Sequence, residues 1–423
     1  MEGRFDVLVV GSGPAGSVAA LVLARGGARV ALVDKARFPR DKACGDLVGP
    51  RGVQLLNELG LHVPGAVRVG DMIVVGPSGR KVRLPCRPGL TYPGHGFAAP
   101  RSVFDEALRA AAVEAGAEFF EGRAGEPLLG EDGTLGGFVL STGARLQADV
   151  VIGADGAASR VADVAGLVDP TRVLWGFAVR AYVDDPVVLP HIVLWEPRRW
   201  HGFPGYGWLF PGVGGRANIG LGLGVLTDRA AGAGATQHFD AFVEHLRRLG
   251  VLQAPLSPAS RGDRLGGWLK MGMVGTTPGR GPVLLAGDAA GLVNPLQGEG
   301  ISQAMGSARA AAEAVLAGPG DAAGRYRRLL AAAYAPYQSI TAPVHGALLT
   351  RPRAVATIGR LVTAPGLGRA VAGGWSIFWN DLLDGATPGP PRVVASAAAG
   401  VGRALTARSQ TREWFAQDAM SAA

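Results

Sequence analysis

The stretch DVLVVGSGPAG, residues 6–16, limits the fold of this chain more than any other. DVLVV has the unbroken apolar character of a buried strand, GSGPAG follows without a spacer, and SVAALVLARGG reads as a helix closed by glycine. ARVALVDK then supplies a second strand that ends in an acid. The result is a βαβ unit with Gly11, Gly13 and Gly16 at the G-x-G-x-x-G positions and Pro14 and Ala15 between them. Gly11 permits the tight turn, Gly13 lets backbone approach a pyrophosphate, and Gly16 lets helix and strand pack closely. The helix N-terminus offers free N–H groups and partial positive charge to phosphates. Asp34, with Lys35 beside it, ends the second strand where a carboxylate accepts hydrogen bonds from a ribose. Strand, helix and acid in this order point to dinucleotide binding.

The far end of the chain distinguishes one dinucleotide from another. PVLLAGDAAGLVNPLQGEGISQ, residues 282–303, reads as an apolar strand, a Gly-Asp turn, a loop with Pro295, and a Gly-Glu-Gly entry into an alanine-rich helix. Asp288, after Gly287, is placed to hydrogen-bond a polyol such as the ribityl chain of a flavin. Gly298, Gly300 and Ile301 bring a helix N-terminus against the pyrimidine edge of a flavin, where its dipole favours the negative charge of the reduced ring. A nicotinamide enzyme needs neither feature, so the expected cofactor is noncovalent FAD. Between the two ends lies VVIGADGAASRV, residues 150–161, another strand followed by Asp-Gly. Asp155 is a candidate cofactor contact there, and an ordinary strand-to-helix connection is the plainer reading. No second G-x-G-x-x-G opens a helix after an apolar strand. NAD(P)H is therefore the expected external donor, bound transiently in a groove, with a redox partner protein or a deazaflavin as the alternatives.

The three motifs in this order resemble the FAD oxidoreductases built like p-hydroxybenzoate hydroxylase. The resemblance implies an α/β chain: a glutathione-reductase-type Rossmann FAD-binding domain with an interleaved antiparallel-sheet substrate domain and a C-terminal helical region. The expected segments are 1–70, 100–172 and 270–330 for the FAD domain, 71–99 and 173–269 for the sheet domain, and 331–423 for the helices. Arg101, in PRSVFDEALRAAA, matches the family position where an arginine contacts the cofactor phosphates, and Ala124 matches one whose backbone meets the adenine side. Within that group, FPRDKACGD, residues 38–46, resembles the geranylgeranyl reductase family, whose members carry Pro-Arg-x-Lys-x-Cys-Gly. YGWLFPGVGGRANIGLG, residues 206–222, is similar to the same family's Tyr-x-Trp-x-Phe-Pro motif followed by Gly-x-Gly. The resemblance places Cys44 and Gly45 near the flavin ring. Gln297 departs from it, standing where members often show threonine, and so does GDLVGPRG, where a Gly-Asp-Gly start is typical.

Alternation over YGWLF sends Tyr206, Trp208 and Phe210 to one face of a strand, either as an aromatic wall for a flat or polyprenyl substrate or as ordinary core. Cys44 is a candidate proton donor or redox partner at the flavin, or else a small residue fitting a tight loop. Cys44, Tyr206 and Trp208 are thus the candidate catalytic residues, and no metal is called for. The leading function is reduction of carbon–carbon double bonds in an isoprenoid or other lipophilic metabolite. The alternative is a monooxygenase acting on an aromatic or polyketide-like metabolite, because one fold serves both chemistries. A halogenase is disfavoured, since GWLFP supplies a single tryptophan where Trp-x-Trp-x-Ile-Pro is wanted.

Composition adds limits. Two cysteines in 423 residues give no disulfide framework and point to a reducing, cytoplasmic setting. The apolar run at the start is too short for a signal peptide, and no stretch is long enough to span a membrane. The net charge of +8 comes largely from scattered arginines, with no nucleic-acid module to use it. GGWSIFWNDLL, near Arg351, Arg353 and Arg360, offers peripheral membrane contact or packing against the FAD domain.

Overall fold

Val7, Leu8, Val9 and Val10 offer no polar face to water, and the first strand is accordingly enclosed on both sides. In the computed structural model, which describes residues 2–88, 92–194, 205–225, 234–253, 255, 264–349, 357 and 359–368, that strand is central to a parallel sheet. Elements are numbered along the chain. The sheet comprises β1 (Glu2–Val10), β2 (Val30–Asp34), β8 (Glu118–Glu121), β11 (Arg145–Gly153) and β18 (Val283–Leu285), in the order β18-β11-β1-β2-β8. All four of these pairings are parallel. β17 (Gly279–Arg280), β9 (Ala124–Leu129) and β10 (Leu135–Leu140) extend it antiparallel. Helices α1 (Pro14–Arg25) and α3 (Arg101–Glu114) pack together, and α6 (Ile301–Leu316) packs on α1.

A second sheet of seven strands has the order β16-β12-β15-β14-β13-β5-β6. Its strands are β5 (Met72–Val75), β6 (Lys81–Leu84), β12 (Leu174–Asp184), β13 (His191–Val193), β14 (Gly205–Pro211), β15 (Arg216–Val225) and β16 (Leu265–Met271). It is antiparallel except where β13 meets β5. Helix α5 (Gly234–Arg248) covers it, driving Phe239, Phe242 and Leu246 into a separate apolar core. The chain passes from one unit to the other and back, so the unit built on the parallel sheet draws on separate segments of the chain. A third, small sheet comprises β3 (Leu47–Val48), β4 (Val67–Val69) and β7 (Gly96–Ala98), with α2 (Pro50–Glu58) between its strands in sequence.

β7 pairs with β3 and β4 rather than with the sheet formed by its neighbours β5 and β6. The expected boundary at 330 and 331 falls inside α7 (Ala322–Leu349), because Tyr326, Leu330 and Tyr334 on that helix all bury in the large core. Helix α4 (Arg160–Val164) completes the set. Among the described residues no helix is long and apolar enough to cross a membrane. Arg351, Arg353 and GGWSIFWNDLL lie outside the described residues.

Candidate cofactor and substrate site

The three motif glycines divide by what surrounds them. A Cβ on Gly11, whose φ is +101°, would lie 2.4 Å from the Ala154 carbonyl oxygen, and one on Gly16 would lie 1.6 Å from that of Gly11. A Cβ on Gly13 would meet nothing nearer than Arg40 Nη2 at 3.6 Å, so the protein leaves room above the middle of the turn. Pro14 begins α1, where a missing N–H costs nothing, and Ala15 beneath it packs toward Gly287. Asp34 is fixed by the N–H groups of Ser12 (2.7 Å) and Ala36 (2.8 Å), one to each oxygen, which leaves lone pairs for further donors. Lys35 beside it is exposed. The Gly122 N–H donates to the Asp34 carbonyl oxygen (2.8 Å), which brings the start of β9 at Ala124 to the same edge.

Arg101 opens α3 and is buried, gripping Asp105 through Nε (2.7 Å) and Nη2 (2.8 Å). Arg40 Nη1 reaches the same carboxylate at 2.8 Å. Two cations on one buried anion leave positive charge beside the turn. Sequence reasoning did not single out Arg40; its signal was the arginine of Pro-Arg-x-Lys-x-Cys-Gly.

Across from this turn, Gly287 and Gly298 adopt φ of +61° and +69°. Asp288 is partly exposed, and its carboxylate has no hydrogen-bond partner among the described residues. The Asn294 side chain accepts from the N–H groups of Leu296 (2.9 Å) and Gln297 (3.0 Å), shaping the loop around the buried Pro295. Gly300 precedes α6 without capping it through a side chain; the Glu299 carboxylate accepts from Ser302 N–H at 2.9 Å, while Ile301 begins the helix. Burial pushes the Glu299 carboxyl above its usual range. Asp155 has a structural occupation: Ser159 Oγ (2.5 Å), Arg160 N (2.7 Å) and Val161 N (3.2 Å) all donate to it, holding the start of α4.

The Cys44 loop lies on β14. A Cβ on Gly45 would come 2.9 Å from the Phe210 ring, so only glycine allows this approach. Tyr206, Trp208 and Phe210 share one face, with successive ring centroids 6.2 and 6.1 Å apart. Their exposure differs along the strand. Trp208 and Phe210 are each 6% exposed. Gly220, whose added Cβ would lie 2.0 Å from the Trp208 ring, and the loop itself enclose them. Tyr206 alone stays partly exposed, and its hydroxyl donates to the Gln297 carbonyl oxygen.

Asn218 on β15 joins loop and strand. It accepts from Trp208 Nε1–H (2.8 Å) and donates to both the Cys44 carbonyl oxygen (2.8 Å) and Asp46 Oδ2 (2.8 Å). Tyr182 OH also donates to Asp46 Oδ2. Burial raises the Asp46 carboxyl from 3.8 to about 6, against the opposing pull of Tyr182, Asn218, Arg180 and Arg101. Holding it ionised at neutral pH therefore costs about 3 kcal/mol. Burial likewise pushes the Cys44 thiol up; Arg101 acts downward and Asp46 adds to the rise. Asp46, Tyr182 and Asn218 were missed from sequence, although Asp46 directly follows the Cys-Gly pair.

A model of an FAD-binding domain matches residues 4–177. The menaquinone reductase of Mycolicibacterium smegmatis is 36% identical over 328 residues, covering 75% of this chain and 78% of that protein. Digeranylgeranylglycerophospholipid reductase 1 of Methanopyrus kandleri is 33% identical over 333 residues, covering 73% and 80%. The chain belongs to the geranylgeranyl reductase family of FAD-dependent oxidoreductases. A solved member-like fold, the geranylgeranyl bacteriochlorophyll reductase-like protein of Thermoplasma acidophilum, superposes with a TM-score of 0.63 at 21% identity, covering 88% of this chain and 99% of that one. The residues present fit the family's cofactor: space over Gly13, a carboxylate with spare lone pairs at Asp34, and a carboxylate without a described partner at Asp288.

Proposed function

We propose that this family member reduces a carbon–carbon double bond in the prenyl chain of a lipophilic metabolite, with Cys44 as proton donor. The observation that carries the reading is the Cys44–Gly45 loop seated on the aromatic strand, its carbonyl and sulfur both anchored. The relatives named as reductases of menaquinone and of a digeranylgeranyl lipid supply the substrate class.

Reduced FAD, held in this site, would supply hydride chemistry for one carbon of the double bond. Burial keeps Cys44 as a thiol at neutral pH, the form that carries a proton for the second carbon. The thiolate left behind lies beside the Arg101 cation and accepts the Asp46 N–H, which donates to Sγ at 3.3 Å, until water returns the proton. Tyr206 is the weaker donor, because burial raises its phenol and its proton is committed to the Gln297 carbonyl. Asp34, Arg101 and the turn at Gly11–Gly16 would hold the nucleotide end of the cofactor noncovalently, Asp288 would hold its polyol, and the α6 N-terminus at Gly298–Ile301 would face the ring where reduced charge gathers. NAD(P)H fits as the external donor.

The test is anaerobic reduction of the purified flavoprotein, mixing with a short-tailed menaquinone or geranylgeranyl diphosphate, and mass spectrometry. A gain of two hydrogens that persists after any quinol is reoxidised in air is expected. A gain of one oxygen in air, with no reduction under argon, overturns the reading in favour of a monooxygenase.

A further inference from the structure

Asp46 is one of two non-glycine residues with positive φ among those described, at +62°. That backbone aims its N–H at Cys44 Sγ. Its side chain is 3% exposed, and while Oδ2 accepts from Tyr182 and Asn218, Oδ1 has no hydrogen-bond partner. An ionised carboxylate with an unsatisfied oxygen is costly to bury. Asparagine tolerates the left-handed backbone equally well, and its amide oxygen accepts the same two hydrogen bonds. Packing alone therefore gives no reason for a carboxylate here.

The charged and titratable groups facing it are few. Arg180 and Tyr182 come from β12, Arg101 from α3, and Cys44 from the loop itself. Arg180 pairs with Asp41, and Arg101 with Asp105, so the partners that pin both arginines lie elsewhere. At the Cys44 sulfur the Asp46 carboxylate acts upward, while the Asp46 N–H acts downward together with Arg101.

We propose that Asp46 is the positioning residue of Cys44: its N–H and its Asn218 bridge fix the sulfur and carbonyl against Trp208, and its carboxylate offsets Arg101 at the sulfur. This deepens the reading of Cys44 as proton donor and rests on it for its catalytic meaning. The physical coupling is testable without any turnover.

The experiment is a pH titration of the FAD-loaded protein by NMR of [β-13C]cysteine, with Cys86→Ala to assign Cys44. In the parent, the Cys44 resonance is expected to inflect near the Asp46 transition at about 6. In Asp46→Asn, that inflection disappears and the thiol ionises about one pH unit lower or more. The variant is expected to melt no lower than the parent at mildly alkaline pH, and the alkaline fall in kcat for reduction of short-tailed menaquinone, where the thiol loses its proton, should move to lower pH. A Cys44 resonance flat through pH 6 in the parent overturns the proposal whether or not the variant folds. So does an unchanged thiol titration in Asp46→Asn, above all with a lowered melting point, which makes Asp46 structural. Coupled titrations in a protein that reduces no prenyl bond support the Asp46–Cys44 link and overturn the reductase reading instead.

Discussion

Side chains added at two positions of the phosphate turn separate folding from cofactor binding. Gly16→Ala puts a Cβ 1.6 Å from the Gly11 carbonyl oxygen, so the variant is expected to accumulate poorly and lose far-UV dichroism. Gly13→Val meets no backbone and no strained φ, so it should fold yet carry less FAD, read as the ratio of flavin to protein absorbance. Asp288→Ala is expected to raise the FAD dissociation constant about ten- to a hundredfold, the worth of one charge-assisted hydrogen bond, with an unchanged melting point of the apoprotein. Cys44→Ser should keep FAD but slow flavin reoxidation by substrate under argon, because a serine hydroxyl is a far weaker acid than a thiol. The close packing at Gly11 and Gly16 was legible because it depends on local spacing. Asp46 was not, since its partners Tyr182 and Asn218 lie 136 and 172 residues away. No periodicity within either segment encodes that meeting.

At the scale of elements, period-two alternation correctly put Tyr206, Trp208 and Phe210 on one face of β14. It gave no hint of what covers them, because the Cys44–Gly45 loop arrives from a different part of the chain. The start of α4 shows the plainer side of sequence reading. Asp155 and Ser159 hold its first turn, so Asp155→Ala is expected to destabilise the protein by about 1–2 kcal/mol with FAD affinity nearly unchanged. Paired denaturation and flavin titration check this. A loss confined to FAD binding would return Asp155 to the cofactor site.

For the whole molecule, the buried Asp46 sets a pH dependence of defined sign. Its folded-state value of about 6 exceeds the ordinary 3.8, so between these limits the folded chain binds the extra proton. Its contribution to stability therefore grows as pH falls from about 6 toward 4 and is lost as pH rises again, by about 3 kcal/mol in total. Urea midpoints of the parent on either side of pH 6 should show this component, and Asp46→Asn should lack it. The topology adds an order in time. β18, Asp288 and α6 follow the last strand of the seven-stranded sheet, and β18 then inserts beside β11, which was made far earlier. A ribosome thus releases the phosphate turn early, while the grip on the polyol and ring waits for nearly three quarters of the chain. Nascent chains halted before Ile301 would stay colourless, and acquisition of yellow colour during synthesis would mark the moment at which both units close.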